Sequence, residues 1–457
     1  VSHLGMNEKV ANLQYGATQA WVYAFTFIGG LFADKILGLR KSLFWGGILM
    51  IIGSVILAID PKNFFFIGLG FTIVGTGFFK PNISSMVGQL YPDGDPRRDA
   101  GFSFFYMGVN LGALIGGYIC IAVAEGSMWQ SIVPEHLRWN VGFGFAAIVM
   151  IISLLTFTQT QKSLGPIGLS PLKEMMVSKR KQLEIVTYVG SLLVIRLIIV
   201  MVANTHYTDY FMICIGPASI LYLLYEMKNF TLAENKKLFA ALIFIIFSIF
   251  FWAFFEQSGG SLSLFAVNNL NNTIGGVVLS PNGVNNSANS FFVIGFAALV
   301  GLVWLWLDKR KIEPNTVIKF GLAFLFLAGG FWVFYYTKFF ADGFGRTSLG
   351  IFTFGWFVIT LGELCLSPIG MSAMTKLSPS KTQAVIMGMW FLASAYGQYF
   401  AGILGANIAE ASEQSSNIEK LNVYADGYLQ LAIYALIAGV VLIVLSPLVR
   451  KLMQEVK

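Results

Sequence analysis

The chain has 457 residues, of which 56% are hydrophobic and only 12% charged, and its formal net charge is +7. The mean hydropathy is +0.71. Soluble domains carry about 25% charged residues, so this composition excludes a soluble enzyme, a disordered chain and a disulfide-stapled secreted domain. The cations lie in short segments between apolar runs, not in a basic stripe interleaved with aromatic residues, so nucleic acid is not expected as a partner. The sequence predicts an all-α polytopic membrane protein.

Apolar runs long enough to cross a bilayer, at about 20 residues each, occur thirteen times along the chain. The predicted spans are 15–33, 43–59, 64–90, 100–124, 138–159, 184–204, 210–226, 238–265, 287–307, 316–339, 348–375, 383–409 and 428–449.

The distribution of cations predicts the orientation. With residue 1 outside, 22 of the 30 Lys and Arg residues fall on the inner side and 6 on the outer side, while Lys80 and Arg196 lie within spans. Cytoplasmic loops are enriched in Lys and Arg, so we predict a protein of the cytoplasmic (inner) membrane with its C-terminus in the cytoplasm. An odd number of spans with an external N-terminus leads us to expect a further helix before residue 1.

The inner loop between the first two spans contains a motif of small and charged residues. Its members are Gly30, Asp34, Lys35, Gly38 and Arg40, followed by Lys41. Gly30 permits a close helix approach and Gly38 a tight turn, and Asp34 with the cations predicts a charge cluster that holds neighbouring helix ends together. An ordinary basic loop explains the cations but not the Gly–Asp–Gly spacing. The motif resembles the loop signature of the major facilitator superfamily, whose fold is two six-helix bundles around a central cavity.

Two ionisable residues lie near the middle of predicted spans. Lys80, before Pro81, costs about 2.5–3.5 kcal/mol at a helix centre on insertion scales, so we expect it to face a cavity or a partner instead of reaching the interface. Glu363 has no cation nearby on its own helix. A buried isolated carboxylate takes up a proton, whereas one that faces water and a lysine of the other bundle switches between paired and protonated forms. Glu363 is therefore predicted to couple protons, with a permanently protonated structural glutamate as the alternative.

Three further polar residues lie within spans. Glu256 follows Trp252 by four residues inside 238–265, so both are expected on one face of a single long helix. Asn110 and Asn289 place amides near the membrane centre, where an asparagine bonds either a ligand or another helix.

Six segments together resemble the proton-dependent oligopeptide transporter family of that superfamily, and the resemblance covers nearly the whole chain. They are GGLFADKILG at 29–38, FFKPNISSMVGQLY at 78–91, DAGFSFFYMGVNLGA at 99–113, FWAFFEQ at 251–257, GELCLSPIGMSAMTKL at 362–377 and MWFLASAYGQ at 389–398. The resemblance implies fourteen helices: twelve in two bundles, with an extra pair between the bundles.

The same resemblance implies a division of the chain into three regions. They are an N-terminal bundle over 1–160 (helices 2–6 of the family), a linker with two extra transmembrane helices over 161–237, and a C-terminal bundle over 238–457 (helices 7–12). The family's ExxERFxYY motif, on its first helix, does not occur in this sequence, in keeping with the helix expected before residue 1.

The resemblance also implies a proton-coupled symporter of di- and tripeptides that works by alternating access. Lys80 would attract the peptide carboxylate and Glu363 the peptide amino group, while Asn110 and Asn289 would bond the peptide backbone. The side-chain pockets would be shaped by Tyr23, Trp252, Trp390 and Ser394. Proton coupling and gating would fall to Lys80, Glu256 and Glu363. No cofactor is implied other than the coupling protons, and the oligomeric state stays open.

Other functions stay in competition. A carrier of another small solute, such as nitrate or an organic anion, would also keep Lys80, whereas a neutral-solute facilitator would need no opposed buried charges. An enzyme is not expected, because no nucleophile–base pair, paired intramembrane aspartates or HExxH pattern occurs. No metal site is expected either, because the cysteines (Cys120, Cys214 and Cys365) lie in apolar runs without CxxC spacing.

Overall fold

The structure, a computed structural model, describes residues 5–90, 97–172, 174–379, 383–410 and 416–454. This part of the chain is almost wholly helical. Its α-helices are α1 (Glu8–Phe32), α2 (Leu39–Ile59), α3 (Phe65–Gln89), α4 (Arg97–Ala124), α5 (Arg138–Thr160), α6 (Val177–Ala203), α7 (Thr205–Glu226), α8 (Leu232–Phe255), α9 (Ser261–Asn269), α10 (Pro281–Lys309), α11 (Thr316–Tyr336), α12 (Leu349–Leu377), α13 (Gln383–Glu410) and α14 (Asn417–Met453). Two short strands, β1 (Thr273–Ile274) and β2 (Val277–Val278), pair antiparallel between α9 and α10.

Eleven helical segments in the described residues are long enough and apolar enough to cross a membrane. They coincide with eleven of the thirteen predicted spans. The other two, 64–90 and 383–409, form α3 and α13 at the expected places but are less apolar. Each apolar run folds as a helix because a helix satisfies its own backbone groups where lipid offers no partner. The chain is thus a multi-pass membrane protein.

The prediction of one helix over 238–265 is wrong. Helix α8 ends at Phe255 and α9 begins at Ser261, and the intervening residues form a break. The break lies against α1: a β-carbon added to Gly259 would come within 2.2 Å of the Tyr15 ring, and one added to Gly260 within 2.6 Å of Asn12 Oδ1. Two glycines therefore let α1 pack against backbone, within a run of polar and glycine residues at 256–261 that interrupts the apolar sequence.

The chain forms two compact units. The first unit consists of residues 17–209, and the second unit consists of the residues before 17 and after 209. Helix α1 thus contributes to both, α6 belongs to the first unit, and α7 belongs to the second from Tyr210 onward. The bundle boundaries at residues 160 and 237 stay a prediction.

In the first unit, α2 packs against α3 and α5, and α6 packs against α3. The closest helix approach is at Gly29, not at the predicted Gly30. A β-carbon added to Gly29 would lie 2.1 Å from the carbonyl oxygen of Gly77 on α3, whereas one added to Gly30 would have Pro81 as its nearest neighbour at 4.0 Å. The backbones of α1 and α3 therefore touch one residue earlier than the motif suggested.

The core of the second unit is aromatic. The ring centroid of Phe334 on α11 lies 4.8 Å from that of Phe352, 6.1 Å from Trp356 and 5.9 Å from Tyr428. All four side chains are fully buried. Two of them belong to α12, so this cluster fixes the helix that also carries Glu363, two turns beyond Trp356.

Candidate functional site

The loop between α1 and α2 contains the tight turn predicted at Gly38. Gly38 has φ +79° and is buried, and an added β-carbon would lie 2.5 Å from the backbone nitrogen of Ser170. The Ser170 hydroxyl donates to the carbonyl of Ile36 at 2.7 Å, and Arg40 Nη2 donates to the carbonyl of Gly165 at 2.7 Å. Only glycine combines this backbone angle with so close a neighbour, so the loop is locked onto the segment that follows α5.

One cation that follows this loop, Lys41 in the first turn of α2, reaches α6. Lys41 Nζ lies 2.6 Å from Glu184 Oε1, and Arg180 Nε lies 3.8 Å from the same oxygen. Glu184 is buried and Lys35 is exposed. A charge cluster thus joins the start of α2 to α6, but its acid is Glu184, which the motif did not include. The side chain of Asp34 lies outside the described residues, so its part in the cluster stays a prediction.

The structure brings Lys80 and Tyr23 together in the first unit. Lys80 Nζ lies 4.4 Å from the centroid of the Tyr23 ring, at cation–π distance. Helix α3 continues through Pro81, and Lys80 is exposed on it. Asn110 on α4 is buried, and its amide donates to the carbonyl of Tyr106, one turn earlier, at 3.0 Å.

Glu363 and Asn289 form the centre of the candidate site in the second unit. Glu363 on α12 is only 8% exposed, and Asn289 Nδ2 on α10 donates to its Oε2 at 2.6 Å. The same amide donates to the hydroxyl of Thr360 at 3.2 Å. Among the described residues, no Lys, Arg or His lies within 4.0 Å of this carboxylate. Of the two alternatives for Asn289, a ligand or another helix, the structure shows the interhelical bond.

Trp252 lies on α8 with its ring edge-on to those of Phe251 and Phe255, at centroid distances of 5.5 and 5.3 Å. Its Nε1 is buried without a hydrogen-bond partner among the described residues. Its Cβ packs against Gly397 of α13, where an added β-carbon would come within 2.3 Å. Trp252 therefore offers a buried donor next to the turn of α13 that carries Ser394.

Trp390 on α13 is 4% exposed and packs inside the second unit. A β-carbon added to Gly370 of α12 would lie 2.3 Å from its ring, and its centroid is 6.4 Å from that of Phe320 on α11. Ser394 is half-buried one turn later. The pocket roles of Trp390 and Ser394 stay predictions.

Glu256 does not lie inside a long apolar helix, so that prediction is wrong. It is the capping residue directly after α8, with φ −80° and ψ 34°, and its N–H donates to the carbonyl of Trp252 at 2.9 Å. Glu256 is therefore the first residue of the break that precedes α9.

Two polar groupings were not anticipated. The first surrounds Glu8 in the first turn of α1: the Tyr424 hydroxyl donates to its Oε2 at 2.7 Å, and Lys420 Nζ donates to its Oε1 at 3.1 Å. Glu8 precedes the first apolar run, so hydropathy gives no sign of it. The second is a set of asparagines on α10 at Asn282, Asn285, Asn286 and Asn289. The last three lie three, four and seven residues after the first, a spacing that places all four on one helix face.

Comparison with known proteins gives consistent matches over most of the chain. The model of the POT family matches residues 40–423. The peptide transporter YePEPT of Yersinia enterocolitica is 31% identical over 99% of this chain and 88% of its own length. The di-/tripeptide transporter of Lactococcus lactis subsp. cremoris is 30% identical over 99% of this chain and 89% of its own.

Solved structures agree with these matches. The crystal structure of a mutant of the peptide transporter POT in complex with alafosfalin superposes with a TM-score of 0.82 at 30% identity, covering 99% of this chain and 88% of that one. A POT family transporter in complex with 5-aminolevulinic acid gives a TM-score of 0.79 at 27% identity, covering 98% and 89%. These similarities confirm the predicted major facilitator fold, and the chain belongs to the POT family.

Proposed function

We propose that this protein imports di- and tripeptides across the cytoplasmic membrane by alternating access, in symport with protons. The observation that carries the proposal is the buried carboxylate of Glu363, held by the neutral amide of Asn289 at 2.6 Å. Relatives named as peptide and di-/tripeptide transporters that align over 99% of this chain support the substrate class. So does the POT structure that contains alafosfalin.

A short peptide has a fixed negative charge at one end and a fixed positive charge at the other. In this proposal Lys80, supported by the Tyr23 ring, attracts the peptide carboxylate, and Glu363 attracts the peptide amino group. Asn110 and Asn289 bond the peptide backbone, and Tyr23, Trp252, Trp390 and Ser394 shape the side-chain pockets. A peptide of the wrong length leaves one buried charge unpaired, at a cost of about 1–3 kcal/mol or more.

Proton coupling in this proposal depends on Glu363. Its carboxylate has a neutral amide as its described partner, so it can exchange its charge for a proton without breaking an ion pair within its own unit. Glu256 and Lys80 act with it in gating. The coupling ion is the proton, and the proposal includes no further cofactor.

The proposed membrane and orientation follow from the cations. The inner membrane with a cytoplasmic C-terminus is supported by the 22 Lys and Arg residues assigned to the inner side, against 6 outside.

A carrier of nitrate or an organic anion is the second candidate, and Lys80 favours it, because a single cation suffices for such a substrate. Uptake of labelled di-alanine into proteoliposomes under an imposed pH gradient separates the two. We expect concentrative uptake that di- and tri-alanine inhibit and that alanine, tetra-alanine and nitrate inhibit much less. Equal inhibition by alanine and di-alanine, or strong inhibition by nitrate, would contradict the peptide proposal.

A further inference from the structure

A hydrogen-bond chain begins at the α8–α9 break. Asn285 on α10 is 1% exposed, and its Nδ2 donates to the carbonyl of Ser258, within the break, at 2.7 Å. The same Nδ2 lies 3.3 Å from Asn282 Oδ1, which also accepts from the Ser263 hydroxyl at 2.9 Å. The break and the first turn of α9 are thereby bonded to one face of α10. Gln257 and Gly260 of the break give their carbonyls to N–H groups at the start of α9, whereas the carbonyl of Ser258 is held by the side chain of Asn285.

The chain continues from Asn285 across to α12. The indole Nε1 of Trp356, which is 1% exposed, donates to Asn285 Oδ1 at 3.2 Å. The backbone carbonyl of Trp356 accepts from the Thr360 hydroxyl at 2.8 Å. That hydroxyl in turn accepts from Asn289 Nδ2, which donates to Glu363. Hydrogen bonds, linked through the covalent frame of Trp356 from its carbonyl to its indole, therefore join Glu363 to the break that follows α8.

We infer that Asn285 and Trp356 are positioning residues for proton–peptide coupling. They make the position of the α8–α9 break depend on whether Glu363 is ionised, protonated or bound to the peptide amine. The inference rests on the proposed symport function. Neither residue is assigned to bind the peptide or the proton. Each acts through another residue: Asn285 through the backbone of Ser258, and Trp356 through Asn285.

The state of Glu363 affects these residues because each hydrogen bond of the series has a fixed donor and acceptor. An ionised carboxylate only accepts hydrogen bonds, whereas a protonated one also donates, so a proton or a peptide amine at Glu363 changes what Asn289 can donate to. The Thr360 hydroxyl has one proton, which it gives to the carbonyl of Trp356. A turn of Asn289 removes its donation to this hydroxyl, and the hydroxyl, like Trp356 and Asn285 beyond it, is buried and has no solvent to compensate a lost bond. Buried networks of this kind act as a unit because unpaired groups are costly.

The first test uses Trp356→Phe, which removes the indole N–H and keeps an aromatic ring in the core. The matched control is Trp332→Phe on α11, a tryptophan that is 55% exposed. For Trp356→Phe we expect proton-driven accumulation of di-alanine to fall about tenfold, the effect of one lost hydrogen bond, while counterflow exchange keeps its KM within about twofold. Asn285→Leu should give the same pattern, and the control should match the parent protein.

Two results of this test would overturn the inference. One is accumulation that is unchanged in both Trp356→Phe and Asn285→Leu. The other is an equal fall in accumulation and counterflow, together with a lower melting temperature, in both variants, because that pattern indicates a structural role only.

A second test needs no transport and therefore separates this inference from the proposed function. Cysteine is placed at Ser258 in a protein whose native cysteines are replaced by serine, and its rate of maleimide labelling is measured with and without Glu363→Gln. We expect Glu363→Gln to change the labelling rate, and Trp356→Phe to abolish that change. An unchanged rate, or the same change with and without Trp356→Phe, refutes the coupling even if peptide transport is confirmed. If the parent protein fails to transport peptides, this measurement alone decides whether the two sites communicate.

Discussion

Replacement of Glu363 by glutamine is the most direct test of how the proposed transporter couples protons to peptides. Glutamine has nearly the same shape and can still accept from Asn289 Nδ2, which donates to the native carboxylate at 2.6 Å. It cannot take up or release a proton. We therefore expect Glu363→Gln to abolish uphill, gradient-driven uptake while downhill exchange of peptides continues, since exchange does not require the proton to cycle.

The size of the effect on exchange follows from the bonds that change. A hydrogen bond to a charged group contributes about 1.5–3 kcal/mol and a neutral one about 0.5–1.5 kcal/mol. Only the bond to the peptide amine forms on binding, so replacing its carboxylate acceptor by a neutral one costs about 1–1.5 kcal/mol, or about 5- to 13-fold in affinity. The KM of exchange should rise by that factor, and saturating peptide should restore its rate. No peptide concentration should restore accumulation against a gradient.

The assay compares counterflow and pH-driven accumulation of labelled di-alanine in the same proteoliposomes. Glu234→Gln provides a matched control, because Glu234 caps α8 in a capping box with Thr231, and glutamine also fills that position. The control should leave both activities intact. Full concentrative uptake by Glu363→Gln under a pH gradient would refute the reasoning, and the coupling role would then pass to Glu256.

Three further outcomes are expected. Tyr23→Leu removes the ring 4.4 Å from Lys80 Nζ and should raise the peptide KM about two- to fivefold, because an exposed cation–π contact contributes that much to affinity. Lys80→Ala should impair both exchange and accumulation. Gly29→Ala should lower the melting temperature in detergent by several degrees, because overpacking costs about 1–3 kcal/mol. Gly30→Ala, with its nearest neighbour at 4.0 Å, should not, and equal stability of the two variants would contradict the close approach. Tyr424→Phe removes a buried bond of 2.7 Å to a carboxylate and should also destabilise the protein, by about 1.5–3 kcal/mol, unlike the same change at an exposed tyrosine of α14.

Helix positions could be predicted from the sequence because lipid imposes one rule on every apolar run. Gly38 could be predicted as a turn for an equally local reason, the left-handed backbone angle that glycine adopts easily. The break at 256–260 was missed although the sequence marks it, because three polar residues and two glycines stand there between the apolar Phe255 and Leu262. The sequence does not show that α1 packs against Gly259 and Gly260, since that contact is non-local.

The candidate site also divides into residues that the sequence indicated and contacts that it did not. The sequence indicated Glu363 and Asn289 individually, because a polar residue in a span is costly and needs a partner. It did not indicate that they bond each other, since the two lie 74 residues apart on different helices. The roles of Thr360, Asn285 and Trp356 were missed because each is an ordinary residue of an apolar helix until its neighbours are known. Only the regular spacing of the α10 asparagines was visible beforehand.

The docking of the α1–α2 loop has a consequence for the order in which the protein is made. Ser170 bonds to Ile36 across 134 residues, and chains are synthesised from the N-terminus. The loop around Gly38 therefore cannot take its final form until α5 and the segment after it have left the ribosome. During that interval α1 and α2 are in the membrane with an unfinished connection. A substitution at Gly38 should then act during biogenesis, as a lower yield of assembled protein, and molecules that do assemble should bind peptide normally.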